Sequence, residues 1–317
     1  MAAAEAVLNE NGQTPEPEMP EPEGNPTSFD QEKPESLWES MWYSLKSSKP
    51  AMISLVYIGI LVVIAIVTSL FPSILPYDPY AQDLSQSLQA PSAAHWFGTD
   101  EQGRDIFCRV LVGTQISLTV GLLAVGIALV IGVTLGAIAG YKGGAVDTVI
   151  MRIMDVMLAI PSTLLAIAFM AAFGKGIEKA VIAIGLVSIP EYARIVRSQI
   201  LSVKQNDYTA AARVIGDSDS AIIFRHVLPN VLPSIIVRAT LGISGAILDC
   251  AALGFLGLGV QPPAAEWGDM LGRGRNYVFS APWLMIYPGA AITLAVLAFN
   301  LLGDGIRDAL DPKSRTR

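Results

Sequence analysis

Charge is scarce in this chain: 15% of its 317 residues are charged and 52% are hydrophobic, against about 25% charged in ordinary soluble chains. The shortage comes from long uncharged runs, each about long enough to cross the roughly 30 Å of bilayer hydrocarbon. The body of the chain is therefore expected in a membrane. Histidine and cysteine number two each. Cys108 and Cys250 have no metal-ligand spacing and fall at different depths, which argues against a disulfide and leaves both as packing residues. No basic face is present for nucleic acid. A G-x-x-x-x-G-K-S/T phosphate loop is also missing; Phe173-Gly174-Lys175-Gly176 comes nearest and fails the spacing. The chain is expected to hold no nucleotide, cofactor or metal and to catalyse no reaction by itself.

What charge there is clusters. Residues 1–36 carry nine acids against Lys33 alone, a charge of -8, so the whole of the net -7 belongs there and the remainder, at +1, is close to neutral. With Pro and Glu repeating over 15–23, the segment buries too little apolar surface to offset its ordering entropy, and 1–35 is expected to be a disordered cytoplasmic tail. It also lacks the basic start and apolar run of a cleavable signal. Next, Trp38, Met41, Trp42 and Leu45 fall at helical spacing opposite Ser40, Ser44, Lys46 and Ser47. That pattern predicts a helix lying in the membrane interface over 36–49, set off from the first span by Pro50.

A membrane domain is expected over 50–312, followed by a short tail at 313–317. Its six spans are read at 51–71, 116–140, 148–173, 180–196, 232–260 and 283–302. An even number puts both termini on one side. Fourteen Lys and Arg residues fall on that side, and six (Arg104, Arg109, Lys175, Lys179, Arg273, Arg275) on the other, with Arg238 left out as part of the fifth span. Both termini are therefore expected in the cytoplasm. His95 and His226 then lie on opposite sides and share no metal site. Gly132, Gly136 and Gly140 recur on one helix face and would let a neighbouring helix approach closely. Pro161 and Pro190 are expected to bend the third and fourth spans. Arg152 with Asp155, and Glu191 with Arg194, sit three apart and are expected to pair along their own helices.

The one long cytoplasmic connection, residues 207–229, reads DYTAAARVIGDSDSAIIFRHVLP. Asp207 can cap a short helix, which three alanines continue with almost no side-chain bulk. Gly216 suits a left-handed stop. Asp217, Ser218 and Asp219 can cap a second helix, which Pro229 closes. The expected product is a small-faced helix-turn-helix, a shape that slots into a groove of another protein.

The spacing of this connection resembles the cytoplasmic signature of ATP-binding-cassette importer permeases: an EAA triplet, three residues, Gly, nine residues, Ile, one residue, then Leu-Pro. Ala210-Ala211-Ala212, Gly216 and Leu228-Pro229 keep every gap, with Ala210 in place of Glu and His226 in place of Ile. Ala210 thereby lacks the carboxylate that would complete a capping box with Asp207, a loss of about 1 kcal/mol or less. Other segments look like those of dipeptide and oligopeptide permeases. They are His95-Trp96-Phe97-Gly98-Thr99-Asp100-Glu101 with Gly103-Arg104-Asp105-Ile106-Phe107, then Gly254-Phe255-Leu256-Gly257-Leu258-Gly259, Glu266-Trp267-Gly268, and Leu302-Gly303-Asp304-Gly305-Ile306-Arg307-Asp308. The resemblance covers about 44–312. On it, the chain is identified as a C-type permease subunit of dipeptide/oligopeptide/nickel importers of a bacterial or archaeal cell (inner) membrane.

That resemblance implies an all-α membrane protein of the type I ABC importer permease fold, with six transmembrane helices, an N-terminal interfacial helix and a cytoplasmic coupling helix. It implies three kinds of protein partner: a second, related permease in a heterodimer, two cytoplasmic ATPase domains that bind ATP and Mg, and an extracytoplasmic substrate-binding protein. The ATPases would grip the connection through Asp207, Tyr208, Ala210, Ala211, Ala212, Gly216, Arg225, His226, Leu228 and Pro229. ATP would close the ATPase dimer and turn the spans outward, and hydrolysis would reset them. The solute would be a dipeptide or oligopeptide, or in the same machine nickel chelate, glutathione or another small solute. Two other classes compete: an ion-gradient-driven secondary transporter, which would need midplane coupling carboxylates and no ATPase dock, and a scaffold or channel, indifferent to the Gly216 turn. Asp249 lies inside the fifth span with no base near it in sequence. Such a charge marks function by default; it lines the solute path and attracts a peptide's amino terminus, or it pairs with a helix terminus or the partner permease.

Overall fold

The computed structural model describes residues 37–310, apart from the side chains of residues 37–40 and of Asp207, Tyr208, Ala210, Arg213, Ser220, Phe224 and His226. The acidic segment 1–35 and the tail 313–317 lie outside the described residues. Within them, regular structure is helical apart from one isolated bridge between Thr99 and Asp105. Helix α1 spans Leu37–Ser47 and α2 spans Lys49–Leu70. The expected separation of an N-terminal helix from the first span is present, with Pro50 in the first turn of α2, where its missing N–H costs nothing. Leu45 of α1 is buried with Ala51 and Leu302, so one face of α1 is fastened to the bundle while Trp42 and Tyr43 are exposed.

Helix α3, Ile106–Lys142, runs 37 residues and begins ten residues before the expected second span. Arg109 had marked that stretch as exterior loop. It is instead buried, donating to the Pro79 carbonyl at 2.9 Å and lying 3.7 Å from Asp100. Asp105 starts the helix by accepting from the Cys108 N–H at 2.8 Å. At 1.5 Å per residue α3 is about 55 Å long, well beyond the hydrocarbon thickness.

The third expected span is two helices. Helices α4, Gly144–Leu158, and α5, Ser162–Phe173, meet at 94°. Pro161 disfavours helical geometry at Ile160 and supplies an extended residue ahead of α5, so the bend becomes a break. Pro190 does not interrupt α6, Ile177–Val203, whose flank is fastened to α3. The glycine face of α3 makes that closeness possible. A Cβ at Gly132 would lie 2.6 Å from Tyr192 Cβ, and one at Gly136 only 2.4 Å from the Ala193 carbonyl oxygen.

Beyond α6 come α7, Asp207–Ile215, α8, Asp219–Ala221, a π turn at Ile222–Val227, and α9, Leu228–Phe255. Helix α10, Trp267–Gly274, lies against α9 and against α11, Trp283–Leu310, which starts where the sixth span was expected and runs eight residues further. Among the described residues, four helices, α2, α3, α9 and α11, are long and apolar enough to cross a membrane, and α4 with α5 makes a fifth if the bent pair is one span. Helix α6 has the length, 27 residues, but carries Glu178, Lys179, Glu191, Arg194 and Arg197. It tolerates them because much of it faces protein: Ala180, Ala183, Ile184 and Val187 are buried with Val120, Ala124 and Ala128 of α3 and Ala246, Cys250 and Leu253 of α9.

Both cysteines are free and buried, as packing residues should be. The expected ion pairs along single helices do not form. Asp155 pairs with Arg194 across α4 and α6 at 2.5 Å, and Glu191 pairs with Arg238 across α6 and α9. Asp147 of α4 also receives two hydrogen bonds from Arg197 of α6. Packed helices present partner charges across the gap between them, which spacing along one helix does not reveal.

Candidate functional site

At the connection between α6 and α9, α7 stops where glycine was expected to stop it. Gly216 has φ +97°, and the Asp217 N–H donates to the Ala212 carbonyl at 3.1 Å, closing the last turn. Ser218 then caps α8, its Oγ accepting from the Ala221 N–H at 3.3 Å. Two expectations need correction. Asp207 is the first residue of α7 rather than a cap ahead of it; its side chain, and with it the capping geometry, lies outside the described residues. Pro229 does not close a second helix. It sits in the first turn of α9, and helical backbone continues through the π turn, where the Leu228 N–H reaches back to the Ile223 carbonyl. The widened turn precedes a residue that lacks an N–H and crowds the carbonyl four positions earlier.

The connection has an inner and an outer face. Ala212, Ile222, Val227 and Val231 are buried together with Ala137 and Tyr141 of α3 and Val196 and Ile200 of α6. Leu228 packs partly buried against the same cluster. Ala211, Gly216, Arg225 and Pro229 are exposed. Beside them stand Val214 and Ile215, 87% and 84% exposed, an apolar knob on an otherwise small-faced helix of the kind that marks a protein contact. The sequence reading did not select these two. The signal was available: two bulky apolar residues directly before a helix-ending glycine have no covering turn of helix beyond them. Of the remaining expected residues, the side chains of Tyr208, Ala210 and His226 lie outside the described residues.

Asp249 is partly buried and makes no hydrogen bond or ion pair among the described residues. It lies beside exposed Leu248 and Gly245, while Ala246, Cys250 and Leu253 turn into the core. An unpaired carboxylate on that face is unsuited to lipid.

The motifs before α3 and around α10 converge on one another. Asp100 accepts from Arg104 Nε at 2.6 Å, Arg273 Nε donates to Asp269 at 2.8 Å, and Arg273 lies 3.5 Å from Glu101. Trp267 Nε1 donates to the Val110 carbonyl at 2.9 Å, and Trp283 Nε1 to the Thr99 carbonyl at 3.2 Å. His95 Nδ1 lies 2.9 Å from Asp105 Oδ2. Glu266 caps α10 by accepting from the Gly268 and Asp269 N–H groups at 2.7 and 2.8 Å. Burial pushes its carboxyl up to about 7 against those two hydrogen bonds, which pull it down, and the nearby Asp269 adds to the rise. These charges enclose only about 10 Å³, too little for any solute, so the cluster is a structural clamp joining the segment before α3 to α10.

Residues 132–316 match the family described as binding-protein-dependent transport system inner membrane component, and residues 36–91 match the N-terminal TM domain of oligopeptide transport permease C. The chain is 49% identical over 304 residues to the dipeptide transport system permease protein DppC of Alkalihalophilus pseudofirmus, covering 96% of this chain and 97% of that one. It is 45% identical over 280 residues to the glutathione transport system permease protein GsiD of Pectobacterium atrosepticum, covering 88% and 92%. In fold it resembles a chain of the inward-facing MetNI methionine ABC transporter, with TM-score 0.55 and 18% identity over 65% of this chain and 98% of that one.

Proposed function

The chain belongs to the family of binding-protein-dependent transport system inner membrane components, and from that premise we propose that it is the permease subunit through which separate ATPases drive import of small peptides. It is a multi-pass membrane protein of the ABC importer permease fold. In this reading both termini face the cytoplasm. The chain pairs with a related permease, and the two share the solute path. An extracytoplasmic binding protein delivers solute onto the side braced by the clamp around Arg104 and Arg273. ATP and Mg are held by two cytoplasmic ATPase domains. Asp249 stands on the path wall, where its carboxylate would attract the ammonium group of a peptide.

The observation that carries this reading is the connection between α6 and α9. Its inner face is fixed to α3 and α6, and its outer face leaves Ala211, Val214 and Ile215 exposed. Such a lever suits a groove in a second protein and has no use in a carrier driven by an ion gradient. Among relatives, the DppC protein is named for dipeptides and the GsiD protein for glutathione. Dipeptides are the leading solute class here, and glutathione, itself a small peptide, is the second.

Gly216→Val tests the lever. A Cβ there meets nothing within 4 Å, so the variant introduces no clash; it only forces a β-branched residue to a positive φ, at a cost of about 1–3 kcal/mol. The complex should still assemble and hydrolyse ATP, while labelled dipeptide moved per ATP falls. Uptake equal to that of the unaltered complex would remove the coupling role from this connection.

A further inference from the structure

Tyr141 ties the connection to the transmembrane bundle through contacts that include Asp219 and Lys204. It is 4% exposed and occupies the last turn of α3. Its hydroxyl donates to Asp219 Oδ1 at 2.7 Å, across 78 residues of sequence, at the start of α8. Its carbonyl accepts from Lys204 Nζ at 2.5 Å, and the same ammonium lies 5.2 Å from the centre of its ring. Lys204 is the residue that ends α6. One residue thus joins the end of α3, the end of α6 and the far arm of the helix-turn-helix, beside an apolar layer that includes Ala212, Ile200 and Val227. Directly after it the backbone changes character: Gly143 and Gly144 have φ of +67° and +56°, with nothing within 4 Å of a Cβ built at either.

We propose that Tyr141 is a positioning residue for energy coupling, its hydroxyl clamping Asp219 so that displacement of the connection is passed to α3 and α6. The inference rests on the importer reading above. The apolar inner face of the α7–α8 arm resists separation and yields to sliding, whereas the clamp opposes both. A hydrogen bond to a carboxylate fixes direction as well as distance. With the clamp in place, the freedom lies just past Tyr141, at the two glycines that lead into α4, and the connection moves as one piece with the helix ends.

The test uses the full complex, with its paired permease, ATPase subunits and binding protein, reconstituted in vesicles with labelled alanyl-alanine. Tyr141→Phe removes the hydroxyl alone. ATP hydrolysis stimulated by the binding protein should persist, while dipeptide moved per ATP falls roughly tenfold, the factor to which one hydrogen bond to a charged group corresponds. Asp219→Ala should show the same fall, and Asp219→Asn, which keeps an acceptor oxygen, should restore most of the ratio. The double variant Tyr141→Phe/Asp219→Ala should fall no further than either alone. An unchanged ratio in Tyr141→Phe and Asp219→Ala overturns the inference, as does an Asp219→Asn variant no better than Asp219→Ala. Should Tyr141→Phe fail to assemble, the exposed Asp219 pair decides alone. Failure of the unaltered complex to take up dipeptide with ATP would remove the importer reading and this inference with it; normal uptake with indifferent variants removes the inference only.

Discussion

Glu266 is held between opposing influences. Two backbone N–H groups at the start of α10 stabilise its carboxylate, yet burial and the neighbouring Asp269 raise it to about 7. In an unfolded chain a glutamate titrates near 4.3. Between those values the folded protein holds a proton that the unfolded chain has released. This contribution is therefore fully present at low pH, shrinks as pH rises through about 7, and is flat above, for a span on the order of 3 kcal/mol. The detergent-solubilised protein should show a higher thermal midpoint at pH 5.5 than at pH 8, and Glu266→Gln should flatten that difference. An equal slope in the variant would place the titration elsewhere. Nothing in the sequence foretold the shift, because it depends on α9 and α10 closing over a residue that reads as a surface cap: a Cβ at Gly254 would lie 2.2 Å from Glu266 Oε2. Gly216 is the opposite case, legible because the need for a positive φ is local to its own turn.

At the scale of elements, the pairing of α3 with α6 is the frame on which the connection and the core are hung. Gly136→Leu should break it, since the added Cβ would fall 2.4 Å from the Ala193 carbonyl oxygen; overpacking of this kind costs about 1–3 kcal/mol or more. Gly126→Leu on the same helix meets open space and should leave the thermal midpoint of the solubilised chain nearly unchanged. Equal effects from the two would deny the glycine face its packing role. That face was readable from its four-residue repeat, as were α2, α9 and α11 from their apolar runs. The length of α3 was hidden because Arg109 reads as exterior while Asp100 and the Pro79 carbonyl satisfy it inside. Pro161 and Pro190 were both read as bends, yet Pro161 sits at a break while Pro190 leaves α6 continuous. What differs is the neighbour: α6 is fastened along α3, and sequence does not say which helix has such support. The charged pairs were misassigned for the same reason, their partners lying on other helices.

Across the whole molecule, one 37-residue helix touches both ends of the mechanism. The first turns of α3 enter the clamp with α10 through Arg109, and its last turn holds the connection between α6 and α9 through Tyr141. The apolar spans are tied together by charges held across helices, and the α4–α5 pair is broken by a 94° bend. The central claim is that ATP hydrolysed by other subunits, and no ion gradient, drives solute through this bundle. The most direct measurement is uptake of labelled dipeptide by vesicles containing the complete complex, with ATP supplied to the ATPase side and ionophores abolishing every ion gradient. The account predicts uptake that requires ATP and is unaffected by the ionophores; uptake that proceeds without ATP and collapses with the gradient would contradict it.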